Sequence, residues 1–159
     1  MTRRSHAQGP LLPAMLLAAA AAGCAGQRPS PGLPAETAAP AAVNADWSKA
    51  ETVAVMMTDF RFTPSKLVLK HDTPYRLHFE NRGSGLHNFA APDFLKVSAI
   101  DAGRSAAGGI APPPAERVVL RKGEEKDLYL VPLRPGSYDL VCDEFLHEIF
   151  GMTGSITVE

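Results

Sequence analysis

After Glu51, apolar side chains recur at every second position through most of the chain, and that period selects strands over helices. Val53, Val55 and Met57 alternate with polar or small neighbours, and Leu67 and Leu69 follow. Tyr75, Leu77 and Phe79 then stand opposite Arg76, His78 and Glu80, a face expected to be solvated. The same period returns in Val118 and Leu120, in Leu128 and Leu130, in Tyr138, Leu140 and Cys142, and in Ile156 and Val158. Asp72-Thr73-Pro74, Lys122-Gly123-Glu124 and Arg134-Pro135-Gly136 supply turns between these segments. Successive short strands of this kind predict a sandwich or barrel. A segment of about 109 residues is long enough to bury a core without a disulfide. Residues 90–116 break the pattern. Phe94, Leu95, Val97 and Ile100 fit a short strand or a helical turn, whereas Ala106-Ala107-Gly108-Gly109 and Pro112-Pro113-Pro114 read as loop.

The first fifty residues have a different character. Arg3 and Arg4 precede a short apolar run from Leu11 to Ala22, as in an export signal. Spanning a bilayer takes about 20 apolar residues, and this run is shorter and contains Pro13. Ala21-Ala22-Gly23-Cys24 resembles the processing site of bacterial lipoproteins, in which the cysteine becomes the lipid-bearing first residue. An ordinary cleaved signal is the alternative. Residues 25–50 carry Pro29, Pro31, Pro34 and Pro40 among Ala, Gly and Ser, a composition that cannot bury a core and predicts a disordered tether. The expected organisation is therefore a signal over 1–24, a tether over 25–50 and a β domain over 51–159. A formal net charge of −1 offers no basic field for nucleic acid. With Cys24 assigned to lipid, Cys142 is left as a free thiol and no disulfide is expected.

Chemistry concentrates just before the last strand. Cys142, His147 and Met152 fall at equal intervals on one loop, and His87 stands upstream in Leu86-His87-Asn88-Phe89. A thiolate, two imidazoles and a weak thioether form the donor set that suits copper in electron-transfer sites. Zinc is a poorer match, because its closed sites take Cys, His and carboxylates rather than thioethers. Cys142 shares parity with Tyr138 and Leu140, so its sulfur is expected to face the interior. Gly151 permits the tight return that brings Met152 back. Asn88 is placed to hydrogen-bond across to the ligand loop and brace the thiolate. His78, His71 and His6 are weaker candidates.

These pieces resemble the cupredoxin family of plastocyanin- and azurin-like type 1 copper proteins. The matching segments are Asp59-Phe60-Arg61-Phe62-Thr63-Pro64, His87-Asn88, Gly136 to Cys142 and Gly151 to Val158. The resemblance implies an all-β, Greek-key sandwich holding one copper ion, Cu(II)/Cu(I), on His87, Cys142, His147 and Met152. It further implies a monomeric one-electron carrier in the bacterial cell envelope, working with a redox protein partner. The alternative is a periplasmic copper-handling protein that passes the ion to a delivery partner. Catalysis is not expected, since the chain has no His-x-His pair for further copper ions and only one cysteine in the loop. Asp143, Glu144 and Glu148 depart from the uncharged loop common in the family. They are expected either to form an acidic rim for a basic partner or to help capture the ion.

Overall fold

The computed structural model describes residues 44–110 and 116–159; the expected signal, Cys24 and Pro112–Pro114 lie outside the described residues. Among the described residues ten strands form two five-stranded sheets. They are β1 (Glu51–Thr58), β2 (Arg61–Thr63), β3 (Lys66–Leu69), β4 (Tyr75–Asn81), β5 (His87–Ala90), β6 (Ser98–Ile100), β7 (Arg117–Leu120), β8 (Glu125–Pro132), β9 (Gly136–Val141) and β10 (Thr153–Val158). One sheet has the order β2-β1-β4-β8-β6 and the other β3-β10-β9-β5-β7. β1 runs parallel to β4, and β3 parallel to β10. Parallel neighbours cannot be joined by a hairpin, so the chain crosses between sheets, as a Greek-key sandwich requires.

Every alternating segment expected from the sequence is a strand with its apolar face inward. Val55, Met57, Leu77, Phe79, Leu128 and Leu130 line one inner face; Leu67, Leu69, Phe89, Leu120, Leu140 and Ile156 line the other. Phe89 touches rings from the opposite sheet, with centroids 4.8 Å from Phe79 and 6.4 Å from Phe62. Full burial of such a side chain contributes about 1.5–3 kcal/mol.

Residues 90–116 are more regular than the sequence suggested. They form α1 (Pro92–Lys96), β6 and α2 (Ala102–Ala107). The segment Ala106–Gly109, expected as loop, is in part the end of α2: the Asp101 carboxylate accepts from the Arg104 amide at its start, and Gly108 caps its end. His78 is also not on a freely solvated face. Its side chain is only 22% exposed, with Nδ1 2.7 Å from Asp127 Oδ1 and Nε2 3.4 Å from Glu80 Oε1.

Within the span expected as tether, the described residues 44–50 include a short turn. Trp47–Lys49 make a 3-10 turn on Asp46, whose carboxylate accepts from the Ser48 amide. Trp47 meets Tyr129 edge-on at 5.7 Å, and the Arg104 guanidinium lies 5.6 Å over its ring. With Ala45, Ala99, Val131 and Leu133 it builds a small second cluster that fixes the chain's entry into the sandwich.

Candidate metal centre

Three loops, those after β1, β4 and β9, meet at one end of the sandwich, the end to which β1 and β4 run together. The loop between β4 and β5 is organised by buried Asn81. Its Nδ2 donates to the carbonyls of Gly85 and Leu120, and its Oδ1 accepts from the Gly83 amide. That closure places His87 at the first residue of β5, where both faces of the strand are covered and all four residues are buried. Gly83 is needed for the approach, because a Cβ there would collide with the His87 ring.

The second loop joins β9 to β10 and is closed at its base by the backbone. The Cys142 amide donates to the Met152 carbonyl (3.0 Å), and the Met152 amide donates to that of His147 (2.9 Å). Two non-standard turns let it fold back: Leu146 has φ 67° and Gly151 φ 95°. A left-handed φ is routine for glycine and uncommon for leucine, so strain is stored beside His147.

The two loops bring three of the four expected donors close together. The ligating atoms of His87, Cys142 and His147 lie within 4.8 Å of one another. Cys142 Sγ is 3.4 Å from His147 Nδ1 and 4.0 Å from His87 Nδ1, and the two imidazoles stand 4.9 Å apart. His87, Cys142 and Met152 are fully buried, and His147 alone is partly exposed. Two imidazoles and a thiolate at this separation, with Met152 buried at the foot of the loop, fit a single copper ion.

Around these donors lies a set of polar contacts. The Asn88 backbone amide donates to Cys142 Sγ at 3.3 Å. Asn88 Nδ2 reaches the ligand loop through Asp143 Oδ1 (2.6 Å) and Glu144 Oε1 (2.8 Å). Asp143 in turn pairs with Arg117 on β7. Asn88 Oδ1 is buried without a partner, at a cost of about 1–3 kcal/mol. Burial raises the Cys142 thiol pKa, outweighing the backbone amides of Asn88 and Glu144, which lower it. Burial likewise lowers the pKa of His87, against the opposing pull of Asp59.

Asp59 is one residue in contact with the cluster that sequence reasoning passed over. Its carboxylate lies 3.2 Å from His87 Nε2 and accepts from the Ser84 amide at 2.8 Å. The Ser84 hydrogen bonds hold its pKa below the ordinary carboxylate value. A carboxylate on one ring nitrogen fixes the imidazole's orientation and leaves Nδ1 free to ligate. No local pattern joins residue 59 to residue 87, so only the fold reveals the pair. Arg117, which pairs with Asp143, is a second residue that only the fold reveals.

His147 opens onto an apolar rim. Phe60 packs edge-on against its ring at 5.2 Å and against Phe150 at 5.4 Å. Phe145 is 86% exposed, Ile149 79% and Phe150 61%, and Leu86 and Leu146 are exposed to a lesser degree.

A Greek-key sandwich with a Cys/His/His cluster at one pole defines a class of single-site metal-binding domains. This chain belongs to the cupredoxin-like family, whose domain model matches residues 15–158. A structure of auracyanin B is similar to it at 26% identity and a TM-score of 0.51, covering 70% of this chain and 90% of that one. The dithionite-reduced auracyanin of the photosynthetic bacterium Roseiflexus castenholzii shares the fold, at 16% identity and a TM-score of 0.50, covering 69% of this chain and 98% of that one. Among curated proteins none matches the chain.

Proposed function

We propose that the protein is a one-electron carrier whose copper ion would be held by His87, Cys142 and His147, with the Met152 thioether as a fourth, weak donor. The observation that carries this reading is the cluster itself, with three donors of the right kind gathered within 4.8 Å on a rigid sandwich. A copper ion so held would supply the Cu(II)/Cu(I) couple. The protein's own part is to fix the donors, exclude water and keep rearrangement small between the two states. The Asn81 and Asp59 contacts support that rigidity on the His87 side, and the closed loop base supports it on the other.

His147 is the partly exposed member of the cluster and stands among Phe60, Phe145 and Phe150, which supports electron exchange through its edge with a redox protein docked on that rim. The carboxylates of the loop favour this reading over copper capture. Asp143 and Glu144 are engaged by Asn88 and Arg117, which leaves Glu148 as the loop acid outside that network. They are therefore a weaker acidic rim, and a weaker ion trap, than their number in the sequence suggested.

In this reading, residues 1–24 export the chain, Cys24 bears the lipid and the segment after it tethers a monomeric domain in the cell envelope. Loss of acyl labelling in Cys24→Ala tests the anchor. Among the described residues no helix is long and apolar enough to cross a membrane. Voltammetry of the copper-loaded protein tests the carrier. A reversible one-electron wave with fast exchange is expected; sluggish redox with rapid copper transfer to a chelating acceptor would favour copper handling instead.

A further inference from the structure

The contacts beside the thiolate carry charge that the donor set itself does not require. Asn88 donates through Nδ2 to both Asp143 and Glu144, and Asp143 also pairs with Arg117. The orientation of that amide is informative. Its Oδ1 is buried and unpartnered, yet turning the amide over would set its oxygen against two carboxylate oxygens. The two acids therefore dictate the pose of Asn88, whose backbone amide donates to Cys142 Sγ. Two negative groups and one positive group are thus fastened to the residue that touches the sulfur.

We propose that Asp143, Glu144 and Arg117 are positioning residues that set the centre's reduction potential, the two carboxylates favouring the oxidised state and Arg117 opposing them. The inference rests on the one-copper reading above. When the site is reduced, one electron arrives from a donor protein; no bond is made or broken and no proton moves, so the charge of the centre falls by one. Fixed negative charge nearby resists that change, and fixed positive charge assists it. Glu144 has no cation among its hydrogen-bond partners, whereas Asp143 is offset by Arg117. Glu144 is therefore the stronger lever.

The test is a mediator-coupled redox titration of the copper-loaded protein at low ionic strength, with the visible spectrum recorded throughout. Glu144→Gln should raise the midpoint potential, Asp143→Asn should raise it less, and Arg117→Gln should lower it. Glu144→Asp and Arg117→Lys keep the charges and should stay near the parent value. Added salt should shrink the Arg117→Gln shift, since that side chain is 47% exposed. Loosening of the loop alone would move every variant in one direction, so shifts of common sign, or no shifts, would overturn the proposal. Where Glu144→Gln fails to hold copper, Arg117→Gln decides by itself, because it lies outside the ligand loop. A parent protein with no reversible one-electron step would sink the carrier reading; a normal parent wave with shifts of the wrong sign would sink only this one.

Discussion

At the scale of single residues, the centre depends on how closely the backbone approaches the imidazole of His87. Gly83 packs against that ring with no room for a methyl group. Gly83→Ala should displace His87 from Asp59, leave the fold intact by circular dichroism and weaken copper binding by about tenfold or more, in line with losses of ligand-orienting contacts. Wild-type affinity in that variant would show that the ring has slack. The protons of the site give a second expectation. Burial keeps the Cys142 thiol protonated at neutral pH and keeps His87 neutral. Loading copper near pH 7 should therefore displace the Cys142 proton, with about one proton released per ion, and affinity should fall as pH falls because protons compete for the sulfur. A pH-stat titration measures this, and Cys142→Ala should abolish the release.

At the scale of elements, β5 ties the core to the site. Phe89 packs on Phe62 and Phe79 two residues after His87. Phe89→Ala should cost about 3–5 kcal/mol in denaturant unfolding and loosen copper binding together with it. β5 also marks where sequence reading stopped. Strands with one dry face announce themselves by alternation, and β1, β3, β4, β7, β8, β9 and β10 were legible for that reason. All four residues of β5 are buried, so no alternation survives there to be read. β2 has three residues, too few to show a period. α2 hid behind its short Ala/Gly composition, although Asp101 was a visible cap. Within the site, the donors were legible because Cys142, His147 and Met152 share one loop. Asp59 and Arg117 were not, because their partners lie 28 and 26 residues away and meet them only once the sandwich is assembled, Asp59 from the end of β1 in one sheet and His87 from β5 in the other.

At the scale of the whole molecule, the described domain is polar in its arrangement. The chain enters at Trp47, near the start of β1 and β4, and the candidate metal centre lies at the opposite end of those strands. Across the outer face of the β4–β8 pair, Asp127 joins Arg76 and His78. Burial raises its pKa, but the hydrogen bonds from Arg76 and His78 outweigh that and leave it below the usual value. A depressed carboxylate contributes stability above its unfolded pKa of about 3.9 and loses it as pH falls toward the folded value. Asp127→Asn should therefore be less stable than the parent at pH 7, with the gap narrowing in acid; a gap independent of pH would assign the loss to packing instead. The central claim, that Cys142 and its neighbours hold one copper ion as a thiolate centre, is tested most directly by the absorption spectrum of the folded, Cu(II)-loaded protein. The account predicts an intense visible thiolate-to-copper band at one ion per chain, absent in Cys142→Ala; correctly folded protein that takes up Cu(II) without such a band would contradict it.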